Sequence, residues 1–160
     1  MNNAYLLTGG NMGDRENNLS TACEWIESEC GRIVKVSSIY ETAAWGKTDQ
    51  PAFLNQSLHI QTSLNARQLI RHILKIEKKM VRVREEKNGP RKIDIDILLF
   101  DDEVIDTSFL HIPHPQMQNR RFVLVPLHEI ASGIIHPVLK KTIKQLLDEC
   151  PDHLPVSKYK

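Results

Sequence analysis

Residues 82–100 read RVREEKNGPRKIDIDILLF, and this stretch decides how the rest of the chain is read. Its second half, Ile93 to Phe100, is an apolar strand interrupted by Asp94 and Asp96. Side chains alternate faces along a strand, so the two carboxylates point one way while Ile93, Ile95 and Ile97 point into a core. Two acidic groups side by side on a sheet are costly unless solvated, paired or bound to cations. Arg82, Arg84, Lys87 and Arg91 lie just upstream, with Gly89 and Pro90 among them and no apolar periodicity, which reads as a basic loop. A metal ion carrying phosphates suits that combination. Magnesium takes oxygen ligands, commonly one or two carboxylates completed by water and phosphate, and guanidinium forks match phosphoryl oxygens. Paired carboxylates also serve glycosidic acid–base chemistry. A half-solvated edge strand behind a charged loop is the structural alternative.

Working outward from this strand, Ala4 to Thr8 is a short apolar strand that Gly9, Gly10, Asn11 and Gly13 break. Asp14 is placed to cap a helix whose Leu19, Ala22, Cys23, Ile26 and Cys30 share one face, and Gly31 stops it. Ile33 to Thr42 reads as a second strand and Phe53 to Gln61 as a third. Ser63 is the expected cap of a second helix carrying the stripe Ala66, Leu69, Ile70, Ile73, Ile76 and Met80. Glu77 sits on or beside that stripe, as either a boundary residue or an internal partner. After the fourth strand, Asp101 to Glu103 makes a turn and Val104–Ile105 returns as a short ladder. Pro126 is expected to break a helix over Phe122 to Ile130, and Thr142 to Leu147 opens a last one. The order strand, helix, strand, strand, helix, strand gives an α+β chain with a ferredoxin-like βαββαβ core and a C-terminal extension. Two helices then cover one sheet face, and the extension helps to cover the other.

The 160 residues suit one domain, 1–160, with a real core. Lys plus Arg number 21 against 20 Asp plus Glu, so nothing in the charge calls for a nucleic-acid partner or an anionic membrane. No apolar run approaches the roughly 18 residues of a membrane span, and the N-terminus lacks a secretory pattern. Cys23, Cys30 and Cys150 have no zinc spacing and read as buried thiols, which points to the cytoplasm.

Other chemistry-bearing groups lie elsewhere. His111, His114, Asn119, Arg120 and Arg121 form a basic segment stiffened by Pro113 and Pro115, and it favours phosphate or nucleotide contact, with His114 the stronger candidate of the two histidines. Phe53 and Phe122 are candidates to sandwich a flat heterocycle whose ring edge Asn55 would satisfy, or they are plain core. Trp45 is a loop aromatic or a residue over a ligand. His59 reads as structural. There is neither a GxxxxGK[ST] loop nor a GxGxxG fingerprint.

The run Lys87 to Leu98, KNGPRKIDIDIL, resembles the signature of the 6-hydroxymethyl-7,8-dihydropterin pyrophosphokinases of folate synthesis. Gly9 to Arg15, Ser37 to Thr42, Asp49 to Pro51 with Phe53 to Asn55, Glu77 with Arg82 and Arg84, Pro113–His114, Asn119–Arg120 and Phe122 extend the resemblance over nearly the whole chain. It implies transfer of the β,γ-pyrophosphoryl group of ATP to the pterin hydroxymethyl oxygen, with release of AMP. It also implies that Asp94 and Asp96 hold two magnesium ions, and that Arg82 and Arg91 engage the triphosphate as catalytic residues. By the same resemblance Glu77, Arg84, His114 and Arg120 lie on the nucleotide side. Thr42, Trp45, Gly46, Phe53, Asn55 and Phe122 enclose the pterin. The implied partners are these two small molecules, with no nucleic acid, membrane or obligate protein partner. Gly10, Ala43, Trp45, Leu74, Asn88 and Phe109 depart from residues common in the family, which bears on rates and affinities. Two other classes suit parts of the pattern. A nucleotidyltransferase also uses paired aspartates but releases pyrophosphate, and an RNA-binding sheet would carry aromatics where this one carries Asp94 and Asp96.

Overall fold

Residues 1–43, 50–81 and 93–160 are described by the computed structural model. Strand β1 (Asn2–Gly10) is followed by α1 (Arg15–Glu29), β2 (Arg32–Val36), β3 (Tyr40–Thr42), β4 (Phe53–Thr62), α2 (Ala66–Val81) and β5 (Asp94–Phe100). Then come β6 (Ile105–Asp106), β7 (His111–Ile112), a 3-10 turn (Met117–Asn119), α3 (Arg121–Ala131), α4 (Ile143–Asp148) and β8 (Val156–Lys158). The main sheet runs β5-β1-β4-β3-β8, with β2 also against β4, and all of its pairings are antiparallel.

The alternation of apolar residues along β1 builds two cores. Ala4 and Leu6 pack with Leu54, Ile60, Ile93, Ile95 and Ile97 beneath the apolar stripes of α1 and α2. Tyr5 and Leu7 pack on the opposite face with Val123, Leu124, Leu127 and Ile143 of α3 and α4. A register shift between Tyr5 and Leu6 leaves Leu98 as an extra residue in β5. Both Leu98 and Leu99 thus join the second core while Phe100 stays in the first.

Several local expectations change. The expected strand from Ile33 to Thr42 is two strands: Ser37 N still donates to Ser57 O at 2.9 Å, but beside it side-chain contacts interrupt the ladder. Ser37 Oγ accepts from Ser57 N at 2.9 Å, and Ser38 N donates to the Glu129 carboxylate at 3.1 Å. Helix α2 is capped by Asn65, not Ser63. Asn65 Oδ1 accepts from Gln68 N at 2.8 Å, and Gln68 Oε1 accepts from Asn65 N at 2.9 Å, a reciprocal box that starts two residues later. Asp14 does cap α1, accepting from Asn17 N at 3.1 Å. Pro126 leaves α3 unbroken: Val123, Leu124, Leu127 and Ala131 are buried on either side of it, and that packing outweighs one missing backbone donor. The ladder after β5 joins β6 to β7 in a separate two-stranded sheet and does not return onto the main one. Strand β8, which no sequence pattern announced, extends the sheet beside β3.

Candidate active site

The register lines residues up in rows across the sheet. Gly9 lies between Asn55 of β4 and Asp94 of β5, and Asn55 pairs in turn with Tyr40 of β3. One row along, Leu7 lies beside Asp96. Facing residues in adjacent strands share a sheet face, so these side chains stand on the face that α3 covers. Helix α3 packs over the Tyr5–Leu7 end and leaves the Gly9 end open. The result is a cleft of about 280 Å³ lined by Leu7, Gly9, Thr42, Ala43, Phe53, Asn55, Asp94, Asp96, Arg120 and Phe122.

Seven residues expected at the site from sequence thus meet in one cleft: Thr42, Phe53, Asn55, Asp94, Asp96, Arg120 and Phe122. They come from β3, β4, β5 and the start of α3, and only the antiparallel register brings them together. Asn55 is buried, and so is Thr42, whose hydroxyl has no hydrogen-bond partner among the described residues. A buried unpaired hydroxyl at the wall of a cleft has capacity for a ligand group. The Arg120 guanidinium lies 5.9 Å from the centroid of the Phe122 ring, so the arginine and the aromatic form one edge of the opening.

Strand β5 ends the sheet, and contacts from α2 and from the His114 segment hold its outer edge. Glu77 Oε2 accepts from Ile95 N at 2.7 Å, between the two aspartates, and His114 N donates to Leu98 O at 3.0 Å. Glu77 is therefore an internal partner of β5 rather than a boundary residue. His114 stands within the field of Asp96, and its imidazole pKa is lowered. Burial is the main cause, Arg120 and His111 add to it, and Asp96 opposes. A neutral ring also fits its contact, since Nδ1 accepts from Gln116 N at 3.2 Å. His59, as expected, is structural. It stacks on Tyr5 with ring centroids 4.6 Å apart and reaches Asn3 Oδ1 at 2.8 Å.

Trp45, Gly46, Arg82, Arg84, Lys87 and Arg91 lie outside the described residues. Among the described residues no group of three or more His, Cys, Asp or Glu is arranged to hold a metal. Asp94 and Asp96 still fit a hard cation. They supply two carboxylates on one face of an open cleft, and such an ion takes its other oxygens from water and phosphate.

Sequence reasoning missed Gly9 as a floor residue. A Cβ there would lie 3.1 Å from Asn55 Cγ and 3.2 Å from Leu54 O, so only glycine lets the Asn55 amide lie across β1. The GGNMG run signalled a turn, but the need for glycine comes from a strand some 45 residues away. Leu7 was also unanticipated as a lining residue, and Ala43, one of the departures from the family pattern, lines the cleft as well.

Comparison with known proteins agrees with this geometry. Residues 5–132 match the family described as 7,8-dihydro-6-hydroxymethylpterin-pyrophosphokinase. The chain is 44% identical over 149 residues to the 2-amino-4-hydroxy-6-hydroxymethyldihydropteridine pyrophosphokinase of Aquifex aeolicus, covering 93% of this chain and 92% of that one. It is 46% identical over 136 residues to the enzyme of the same name from Bacillus subtilis, covering 84% and 81%. Among solved structures it resembles wild-type Plasmodium falciparum HPPK-DHPS with pterin and p-hydroxybenzoate, with a TM-score of 0.74 and 22% identity over 92% of this chain. That chain is longer, and the present one spans 43% of it. At that identity the likeness speaks for the fold. The family match and the two bacterial relatives place this chain in the 6-hydroxymethyl-7,8-dihydropterin pyrophosphokinase family.

Proposed function

We propose that this protein transfers pyrophosphate from ATP to the hydroxymethyl group of 6-hydroxymethyl-7,8-dihydropterin, giving AMP and the pterin diphosphate. It is then an ATP-dependent diphosphotransferase of folate synthesis, as its family membership indicates. The observation that carries the reading is one cleft joining a flat, partly aromatic half, with Phe53, Asn55 and Phe122, to an acidic half with Asp94 and Asp96. A heterocycle bearing a short alcohol fits that division, with the ring on the aromatic side and the alcohol toward the aspartates.

Each residue then has a stated part. Phe53 and Phe122 flank the ring, the Asn55 amide meets its hydrogen-bonding edge, and the Thr42 hydroxyl, unpaired among the described residues, adjoins the same space. Trp45 and Gly46 belong to the pterin side by resemblance. Asp94 and Asp96 would hold two magnesium ions, which when bound neutralise phosphate charge. Glu77 fixes the backbone between those aspartates through Ile95 N. Arg82 and Arg91 are assigned to the triphosphate as charge-offsetting groups, with Arg84, His114 and Arg120 as further nucleotide contacts. No nucleophile-activating triad is assigned, so rate comes from positioning and electrostatics. Asp96 is the candidate to accept the alcohol proton, and an unchanged pH–rate profile in Asp96→Asn would remove it from that role.

The strand order β5-β1-β4-β3, with α1 and α2 on one face, supports a ferredoxin-like core, and 1–160 then works as one domain. Small molecules are the only partners this reading needs. No helix among the described residues is long and apolar enough to cross a membrane, and three free cysteines are in keeping with a reducing cytoplasm.

Product analysis tests the reaction. Protein, ATP, magnesium and the reduced hydroxymethylpterin should yield AMP in step with a pterin diphosphate. Pyrophosphate release would indicate a nucleotidyltransferase, and no pterin-dependent turnover would refute the assignment.

A further inference from the structure

Arg15 opens α1, yet its side chain takes no part in that helix. One nitrogen, Nη1, donates to Glu41 Oε2 at 2.9 Å and to the Ala52 carbonyl at 2.7 Å. Its guanidinium carbon lies 5.6 Å from the centroid of the Tyr159 ring, and Tyr159 N is itself tied to Ile39 O at 2.9 Å. The two hydrogen-bonded partners have a specific place. Glu41 precedes Thr42 and Ala52 precedes Phe53, and Thr42 and Phe53 are register partners at the last rung of the β3–β4 ladder. Both line the cleft. Buried Asn11 acts beside Arg15, with Nδ2 3.3 Å from both Gln50 Oε1 and Pro51 O.

Glu41 alternates with Tyr40 and Thr42, so its side chain leaves the sheet on the face away from the cleft. Arg15 therefore grips the ladder from behind and does not touch the cleft. Asp14 already caps α1, so the helix does not need these bonds. Strand β3 has only three residues, which is little backbone pairing to fix the wall that carries Thr42.

We propose that Arg15 is a positioning residue for the pterin half of the cleft. It fixes the end of the β3–β4 ladder so that Thr42 and Phe53 keep their spacing to Phe122 and Asn55. This rests on the pyrophosphokinase reading and adds to it a residue that sets affinity for one substrate and not the other. Among the described residues the nucleotide half is carried by β5, α2, the His114 segment and Arg120, whereas the Arg15 guanidinium reaches Glu41, Ala52 and Tyr159. Charge-assisted hydrogen bonds from a planar guanidinium stacked on an aromatic suit this task better than a lysine point charge.

The test uses the full chain and compares wild type with Arg15→Met, Arg15→Lys, Glu41→Gln and the Arg15→Met/Glu41→Gln pair. Methionine keeps the apolar stem and the helix propensity while removing both hydrogen bonds. Arg15→Met should raise KM for the pterin about tenfold, the scale of one charged hydrogen bond, with KM for ATP within about twofold. Arg15→Lys should restore part of the pterin affinity. The pair should be no worse than Arg15→Met alone, as expected of two residues acting through one contact. Melting temperatures and direct calorimetric titration of the pterin accompany the kinetics. An unchanged pterin KM in Arg15→Met would overturn the proposal. So would equal rises in both KM values with a lowered melting temperature, which is what general structural support would give. Wild type that neither binds the pterin nor turns over would instead refute the functional reading, and this proposal with it.

Discussion

The Asn55 amide lies across the backbone of Gly9, in the space a Cβ would need, with Asn55 Cγ 3.1 Å from that position. The pair belongs to a row that continues to Asp94, so a single missing methyl sets the floor between the aromatic and acidic halves of the cleft. Gly9→Ala should push the amide out of the row. Overpacking of this kind costs about 1–3 kcal/mol, but the larger effect falls on function. Pterin affinity should drop by about tenfold or more as the amide loses its alignment. Titration of the pterin into folded Gly9→Ala protein checks this, and wild-type affinity would mean that Asn55 does not read the ring.

Glu77 and Ile95 give a second prediction. The carboxylate satisfies an edge backbone N–H between the two aspartates at 2.7 Å. Glu77→Ala should cost about 1–3 kcal/mol, the penalty for stranding a sheltered donor. Glu77→Gln retains an acceptor and should cost well under half of that. Urea unfolding compares them, and equal losses would show that the contact with Ile95 N is not what matters at this position.

Glu129 gives a pH dependence. Its carboxylate accepts from Tyr40 Oη at 2.6 Å, from Ser38 N at 3.1 Å and from Ser38 Oγ at 3.1 Å, joining α3 to the break between β2 and β3. Burial alone would raise its pKa, but the hydrogen bonds from Tyr40 and Ser38 and the charge of Lys158 outweigh that and hold it below the ordinary 4.5. Tyr40 responds oppositely, its phenol pushed up to about 12 by burial and by the bond to Glu129. A carboxylate with a depressed folded pKa contributes stability that is complete above the unfolded value and fades as pH falls through the folded one. Melting temperatures of wild type should therefore fall more steeply than those of Glu129→Gln between about pH 5 and pH 3. Parallel curves would count against the network.

His136 carries a pH dependence in a higher window. The buried ring accepts at Nδ1 from Val138 N at 3.2 Å and Leu139 N at 3.0 Å, which requires the neutral form, and burial lowers its pKa from 6.5. The unfolded chain takes up the proton first, so this contribution is complete above 6.5 and is lost as pH falls toward the folded value. Unfolding free energy should decline from about pH 7 to pH 5 in wild type and less so in His136→Asn. The same slope in both proteins would assign the decline to other groups.

The acidic strand was legible because its period is local: Asp94 and Asp96 alternate with buried isoleucines, and the structure keeps that phase. The apolar stripes of α1 and α2 were legible for the same reason. What could not be read depended on partners distant in sequence. The break between β2 and β3 follows from Glu129, some 90 residues on, taking a backbone donor from Ser38. Asn65 displaced Ser63 as a cap because Gln68 stands three residues beyond it and completes the box. The missing N–H of Pro126 reads locally as a helix break, whereas the packing around it decides the helix. Glu77 was ambiguous on its helix because its partner is the backbone of β5. Strand β8 is three residues long and owes its existence to the free edge of β3.

In the proposed reaction two phosphoryl groups move together. Incubating the protein with magnesium, the reduced hydroxymethylpterin and ATP labelled at the β-phosphorus tests it most directly, with Asp94→Ala and Asp96→Ala in parallel. The label should appear in the pterin product with unlabelled AMP left behind, and both variants should lose this transfer. Label recovered in ADP, or transfer that survives in either variant, would overturn this reading.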